Sequence, residues 1–443
     1  MADWDQPSDN GLQTMGERVR SLRRSAGLSQ AELAAGRFSK EYVSQIERGK
    51  TRPTRETLDW LAERLDTDSA FLEHGVSRAE AERIDTALDE AERLLELGRY
   101  DEAVGAYAAA RELEGIARSS RGSFRLACGD AWARIRRGDL ERGAELLEEA
   151  ASLALGAGFT DADRAQVVFE IGVLRYSEAR IAEAITLLGE ALALAESTDL
   201  PTDRLRSDVF HWRARGHRRN RDWVAAEDDI ERALELAEAC ADPRRIADAV
   251  FQSSLVAQRQ GRWLYARTQA ERARELFEEL GDRATVARLL NNLAGLVHLL
   301  GDPERAIELL DEAFAMFVDL DLRVEAGYVC SSLAEIRLES GDTEASLTQA
   351  RKALELLDDR VDHLQEVGTA ELTFGRALAA EGHLDEADEW LARADATFAR
   401  ARSTGHRSSA WIAQGDVESR RGHDRDAATH YRRAALALQE VEL

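Results

Sequence analysis

Cysteine is scarce in this chain: Cys128, Cys240 and Cys330 are all it has in 443 residues, far apart and with no CxxC pair, which argues against a disulfide framework or a zinc site. Five prolines are few for the length, and abundant Ala, Leu, Glu and Arg beside them predict an all-α protein rather than one built of strands. No uninterrupted apolar run approaches membrane-spanning length, and the acidic, polar opening MADWDQPSDN lacks the basic-then-apolar order of a secretory signal. A cytoplasmic protein without a membrane partner is therefore expected. HExxH, GxxxxGK[ST] and GxSxG are all missing and the nine histidines are scattered, so no enzyme activity, cofactor or metal site is expected.

Positive charge is also short, the formal net charge being −25, but its distribution is uneven. Residues 16–58 hold ten Arg and Lys against five Asp and Glu, a local charge of +5, residues 1–15 carry three acids, and the remainder of the chain carries −27. Only the N-terminal segment is basic enough to favour a polyanion. With 44% hydrophobic residues the chain has material for an extended core and more than one domain.

Within that basic segment, residues 28–50 read LSQAELAAGRFSKEYVSQIERGK. Ser29 is placed to cap a short helix with Leu33 turned inward, Gly36 interrupts the chain, and Ser39 is placed to cap a second helix whose Val43 and Ile46 face a core. The run resembles the Xre-type (Cro/cI-like) helix-turn-helix family at Leu28, Ser29, Gln30, Leu33, Ala34, Ser39, Val43, Ser44, Ile46, Glu47, Gly49 and Pro53. The resemblance implies a five-helix, lambda-repressor-like DNA-binding domain over residues 15–75. It places base readout at the opening of the second helix, on Lys40, Glu41 and Gln45 with Tyr42 and Ser44 beside them, and phosphate or backbone contacts on Gln30, Ser39, Lys50, Thr51 and Arg52. An amphipathic helix is predicted over residues 54–65, then a short turn capped by Asp68 and ended by Gly75. Residues 1–14 are expected to be a disordered tail.

From residue 80 onward the chain repeats itself nine times with a period of 40 to 42 residues, each unit carrying a turn position at Gly98, Gly138, Ala179, Arg221, Gly261, Gly301, Gly341, Gly382 or Gly422. Seven residues before each turn and five after it the side chain is small, and twelve after it the residue is always alanine, from Ala110 to Ala434. Small residues at those places let paired helices approach closely. The pattern resembles tetratricopeptide (TPR) repeats over residues 80–443, which implies an α-solenoid of about nine helix pairs. Ala179 and Arg221 stand where the other turns have glycine, so those two turns are expected to be built differently.

In TPR-like proteins the first helix of each pair lines a groove. Positions 13, 10, 6, 3 and 2 before each of the five turns from Gly138 to Gly301 share one helical face, and there Arg125, Arg136, Arg215, Arg218, Arg219, Arg259 and Arg288 outnumber Asp208 and Asp248. Trp132, Phe169, Tyr176, His211, Phe251, Gln258, Asn291 and His298 share that face. An aromatic, basic groove suits a peptide, another anionic ligand or a protein, with Arg215, Arg218, Arg259 and Asn291 as candidate contacts. Pairing of these arginines with acids of neighbouring repeats is the structural alternative. A basic helix-turn-helix on a long acidic repeat array resembles bacterial transcription regulators: a homodimer on double-stranded DNA, at a palindromic operator, with repeats that sense a ligand. A TPR interaction scaffold whose N-terminal domain is a vestigial or tethering module is the other class open to it.

Overall fold

The computed structural model describes residues 15–51, 53–156, 158–357 and 363–441, so the expected tail at 1–14 lies outside the described residues. The fold is all-helical, with 23 α-helices, one 3-10 turn and no strand among the described residues. Contacts divide the chain between Leu236 and Ala237 into two compact units.

The first unit begins with five short helices: α1 (Met15–Ser25), α2 (Gln30–Ala34), α3 (Lys40–Glu47), α4 (Arg55–Arg64) and α5 (Ser69–His74). Their shared core contains Val19, Leu33, Val43, Ile46, Leu58, Leu61 and Leu72. Gly16 lets α1 lie against the end of α3, since a Cβ there would stand 2.5 Å from the Ile46 carbonyl oxygen. Val76 then enters the core of the first repeat beside Ile84 and Ile116, so the chain leaving α5 is packed. Four helix pairs follow: α6 (Arg78–Glu96) with α7 (Tyr100–Arg111), α8 (Ser120–Arg137) with α9 (Leu140–Ala154), α10 (Asp161–Ser177) with α11 (Ile181–Glu196), and α12 (Asp203–Arg219) with α13 (Trp223–Ala239), within which the division falls.

The second unit is likewise built of helix pairs: α14 (Pro243–Arg259) and α15 (Trp263–Glu279), α16 (Arg283–Leu299) and α17 (Pro303–Asp319), and α18 (Arg323–Glu339) and α19 (Thr343–Leu356). It ends with α20 (Leu364–Glu381) and α21 (Leu384–Arg400), then α22 (Thr404–Arg420) and α23 (Asp424–Val441). The small positions are where paired helices meet. Ser254, seven before its turn, donates its hydroxyl to the Ala266 carbonyl, five after it, at 2.9 Å; Ser346 donates in the opposite sense to Ala334 at 2.8 Å. At Gly375 a Cβ would stand 2.8 Å from Leu391 Cδ2, so a methyl group is already too large. Ala110, Ala150, Ala191, Ala233, Ala273, Ala313, Ala353, Ala394 and Ala434 are all buried.

The turns at Ala179 and Arg221 are not built differently from the rest. Ala179 and Arg221 adopt the same left-handed conformation as the glycines, each at φ 60°. Their hydrogen bonds match as well: Ala179 N–H reaches Tyr176 O at 3.1 Å and Arg180 N–H reaches Arg175 O at 2.9 Å, as Gly138 and Asp139 do with Ile135 and Arg134. The two bonds closing the helix outweigh a left-handed penalty of about 1–2 kcal/mol for a residue with a Cβ. A second family of turns, absent from the sequence reading, closes the second helix of a pair at Ala241, Gly281, Asp321 and Arg402, all with positive φ.

Candidate nucleic-acid interface and repeat face

Ser29 and Glu32 form a reciprocal cap at the start of α2: Glu32 N–H donates to Ser29 Oγ at 3.1 Å and Ser29 N–H donates to Glu32 Oε2 at 2.7 Å. Ala35 and Gly36 both turn left-handed, and Ser39 Oγ accepts from Tyr42 N–H at 3.1 Å to start α3. Val43 and Ile46 are buried, which fixes the rotation of α3 and leaves Lys40, Glu41 and Gln45 exposed. Ser39 and Lys50 are exposed as well, while Ser44 and Thr51 are half-buried. Tyr42 is half-buried too, its ring 5.4 Å from Phe38 at the edge of the core. Arg52 lies outside the described residues.

Behind this surface is an ion pair that the sequence reading missed. Arg23 of α1 donates to both oxygens of Glu47 at 2.6 and 3.1 Å, and to the Leu28 carbonyl at 2.8 Å. Gln30 Nε2 donates to the same carboxylate at 2.8 Å, so one buried glutamate ties α1, α2 and α3 together. Burial pushes Glu47 up, but the bonds from Arg23 and Gln30 outweigh it and hold the carboxyl below its ordinary range. The signal available in sequence was an arginine and a glutamate on two apolar helix faces, 24 residues apart.

On the repeat face, several expected cations follow the structural alternative. Arg125 meets Asp85, Asp89 and Glu92 at 3.1, 2.6 and 2.9 Å, and Arg288 meets Glu325 at 3.3 Å. His298 Nε2 lies 2.6 Å from Glu339. Arg219 donates to the Tyr176 carbonyl at 3.4 Å. Arg215 and Arg218 lie half-buried on α12 in the first unit. Arg259 and Asn291 belong to the second unit: Arg259 is exposed near His406, whose pKa is lowered by burial and then by that charge, and Asn291 Oδ1 is buried without a partner. In the first unit, Trp212 and Tyr100, which the sequence reading did not single out, pack against arginines of this face, Arg136 on both rings and Arg215 on Trp212, with Trp132 and Tyr176 beside Trp212.

Among the described residues, the ligand atoms of Glu418, His423 and Asp426 lie within 4.8 Å of one another, but Arg421 and His423 already bond to Glu418. No described helix is long and apolar enough to cross a membrane.

A helix-turn-helix domain model matches residues 14–75, and a tetratricopeptide repeat model matches residues 247–317. No curated protein sequence matches the chain. Solved structures share the fold. A Rap protein complexed with competence and sporulation factor is 16% identical with a TM-score of 0.62, the match covering 82% of this chain and 99% of that one. The apo form of the quorum sensor NprR from B. thuringiensis is 12% identical with a TM-score of 0.61, covering 81% and 99%. Apo RapI is 14% identical with a TM-score of 0.60, covering 81% and 98%.

Proposed function

We propose that the chain is a sequence-specific DNA-binding transcription regulator of the Xre type, with residues 15–75 as the reading domain and residues 80–443 as a repeat domain that takes a peptide, another anionic ligand or a protein. The observation that carries this reading is the exposure of Lys40, Glu41 and Gln45 together on α3, a helix capped by Ser39 and fixed in rotation by Val43 and Ile46. Lysine suits the guanine acceptors, glutamine pairs with adenine, and glutamate accepts from cytosine. Gln30, with one amide hydrogen held by Glu47, keeps the other for a phosphate, and Lys50, Thr51 and Arg52 supply further backbone contacts.

A cytoplasmic homodimer would set two such heads on a palindromic operator, half-sites one helical turn or a multiple apart. Ligand in the repeats would change the separation of the heads by binding one conformation better than the other. A ligand-responsive repeat domain is supported by the Rap protein crystallised with its factor and by the quorum sensor NprR, both of which share the fold.

Fluorescence anisotropy on cognate and random duplexes, after selection of the site from a genomic library, tests the reading. Lys40→Ala or Gln45→Ala is expected to weaken cognate binding by roughly 1–3 kcal/mol and relax its sequence preference. Undiminished cognate affinity in the Lys40→Ala/Gln45→Ala double variant, or no site selected at all, sinks the assignment in favour of a repeat scaffold with a tethering N-terminal domain.

A further inference from the structure

Three successive first helices of the first unit share an aromatic seam. Trp132 of α8 lies 5.5 Å from Phe169 of α10 and 6.0 Å from Trp212 of α12, and Tyr176 of α10 meets Trp212 nearly edge-on at 5.4 Å. Guanidiniums stack on that seam. Arg215 is 4.2 Å from the centre of Trp212 and 5.3 Å from that of Tyr176, and Arg136 is 5.5 Å from the same indole and 5.4 Å from Tyr100. Ring faces orient a cation but bring no net negative charge.

Several other arginines of this unit end on carboxylates: Arg213 on Asp229 at 2.7 Å, Arg134 on Asp130 at 2.7 Å, Arg125 on its three acids. Among the described residues, no carboxylate reaches ion-pair distance of Arg136 or Arg215; Arg136 donates instead to the Tyr100 hydroxyl at 3.3 Å. Arg215 is half-buried, and its Nε is sealed from solvent without a hydrogen-bond partner. Burial lowers its pKa, Tyr176 opposes that, and the charges of Arg136 and Arg218 press it lower still. Two guanidiniums, Arg136 and Arg215, gathered without a carboxylate and one of them partly dry, are the arrangement an anion relieves.

The geometry of the two guanidiniums narrows the class of anion. Both stand on one indole, so their Cζ atoms are within about 10 Å of each other, yet they come from different helices, α8 and α12. A carboxylate can take further donors beside a guanidinium, as Glu47 does, but it brings one charge; a tetrahedral dianion offers oxygens to both forks at once and balances two. We propose that Arg136 and Arg215, oriented by Trp212, form a binding site for the phosphoryl group of a small phosphorylated molecule. This deepens the ligand-binding part of the proposed function, on which it rests for its place in regulation and not for the binding itself.

Calorimetric titration of the full chain with inorganic phosphate, glucose 6-phosphate and acetate, at matched ionic strength, tests it. Both phosphates are expected to bind saturably and acetate not at all, with glucose 6-phosphate the tighter if the natural ligand is organic and inorganic phosphate at least its equal if it is the free ion. Arg215→Gln and, independently, the exposed Arg136→Gln should each weaken phosphate binding roughly tenfold or more, whereas Arg142→Gln, from a surface pair with Glu145, should not. Absence of saturable phosphate binding in the wild type, undiminished binding in Arg136→Gln, or equal binding of acetate overturns the site. DNA anisotropy on the same samples separates the failures: loss of the phosphate site with intact DNA recognition leaves the regulator reading standing, and the reverse leaves the site standing.

Discussion

Glu170 is a carboxyl buried in an apolar stretch of α10. It is 2% exposed on α10, its Oε1 accepts from Gln166 Nε2 at 2.6 Å, and its Oε2 has no partner. Burial pushes its carboxyl up to about 8. The same interior holds the unpartnered Tyr107 hydroxyl and Cys128, both driven upward by burial and then by nearby acids that include Glu170. A folded value above the ordinary glutamate range means that the folded state keeps a proton the unfolded state has lost. The associated stability is complete below about pH 4.5 and is lost as pH rises toward the folded value, by on the order of 1 kcal/mol per pH unit. Urea unfolding at pH 5, 6, 7 and 8 should therefore show the wild type losing stability relative to Glu170→Gln, which keeps the bond from Gln166 without an ionisable group. Parallel pH profiles for the two proteins would mean that Glu170 ionises normally. Glu170 is the one charged residue between Arg164 and Arg175, in the run AQVVFEIGVL, so its burial was legible locally, whereas its having Gln166 as partner and no cation was not.

At the scale of the element, a helix pair is specified by small residues and by how its turns close. Ala313 of α17 is fully buried, one of the nine positions twelve residues after a turn. Ala313→Leu should force α17 and its neighbours apart and cost about 1–3 kcal/mol by overpacking. Thermal unfolding checks this; an unchanged melting curve would show that the site is roomier than its burial implies. These alanines were legible because the requirement is local to each repeat and recurs at a fixed phase. The second set of turns was not: Ala241, Asp321 and Arg402 take the left-handed conformation without a glycine to advertise it. There the chain is held by bonds back to the preceding helix, such as Asp242 N–H to Ala237 O at 3.0 Å and Leu322 N–H to Phe317 O at 2.9 Å.

For the whole molecule the decisive quantity is where its charge lies. A segment of +5 at residues 16–58 within a chain of −25 confines any attraction for a polyanion to the helix-turn-helix end, while the acidic remainder discourages binding along DNA elsewhere. Lys50→Ala, at an exposed position after α3, is expected to weaken cognate and random DNA alike and to reduce the slope of log K against log salt by about 1. Titration on both duplexes at several salt concentrations reads both effects. A loss confined to the cognate duplex would move Lys50 from the phosphates to a base edge.

By itself the sequence determined the all-helical fold, the repeat period, the small positions at the helix contacts and the capped pair α2 and α3. Each of these follows from helical periodicity, caps and turns acting over a few residues. Only the tertiary structure decided which polar groups meet. Arg125 finds acids 33 to 40 residues back along the chain, whereas Arg136 and Arg215, on the same helical face by periodicity, find Trp212. Glu47 closes on Arg23 across 24 residues, and Glu170 is sealed where Gln166 alone reaches it. A helical period states which face a side chain occupies. What stands opposite that face, and therefore whether a charge is paired, solvated or stranded, is set by the stacking of one helix pair on the next.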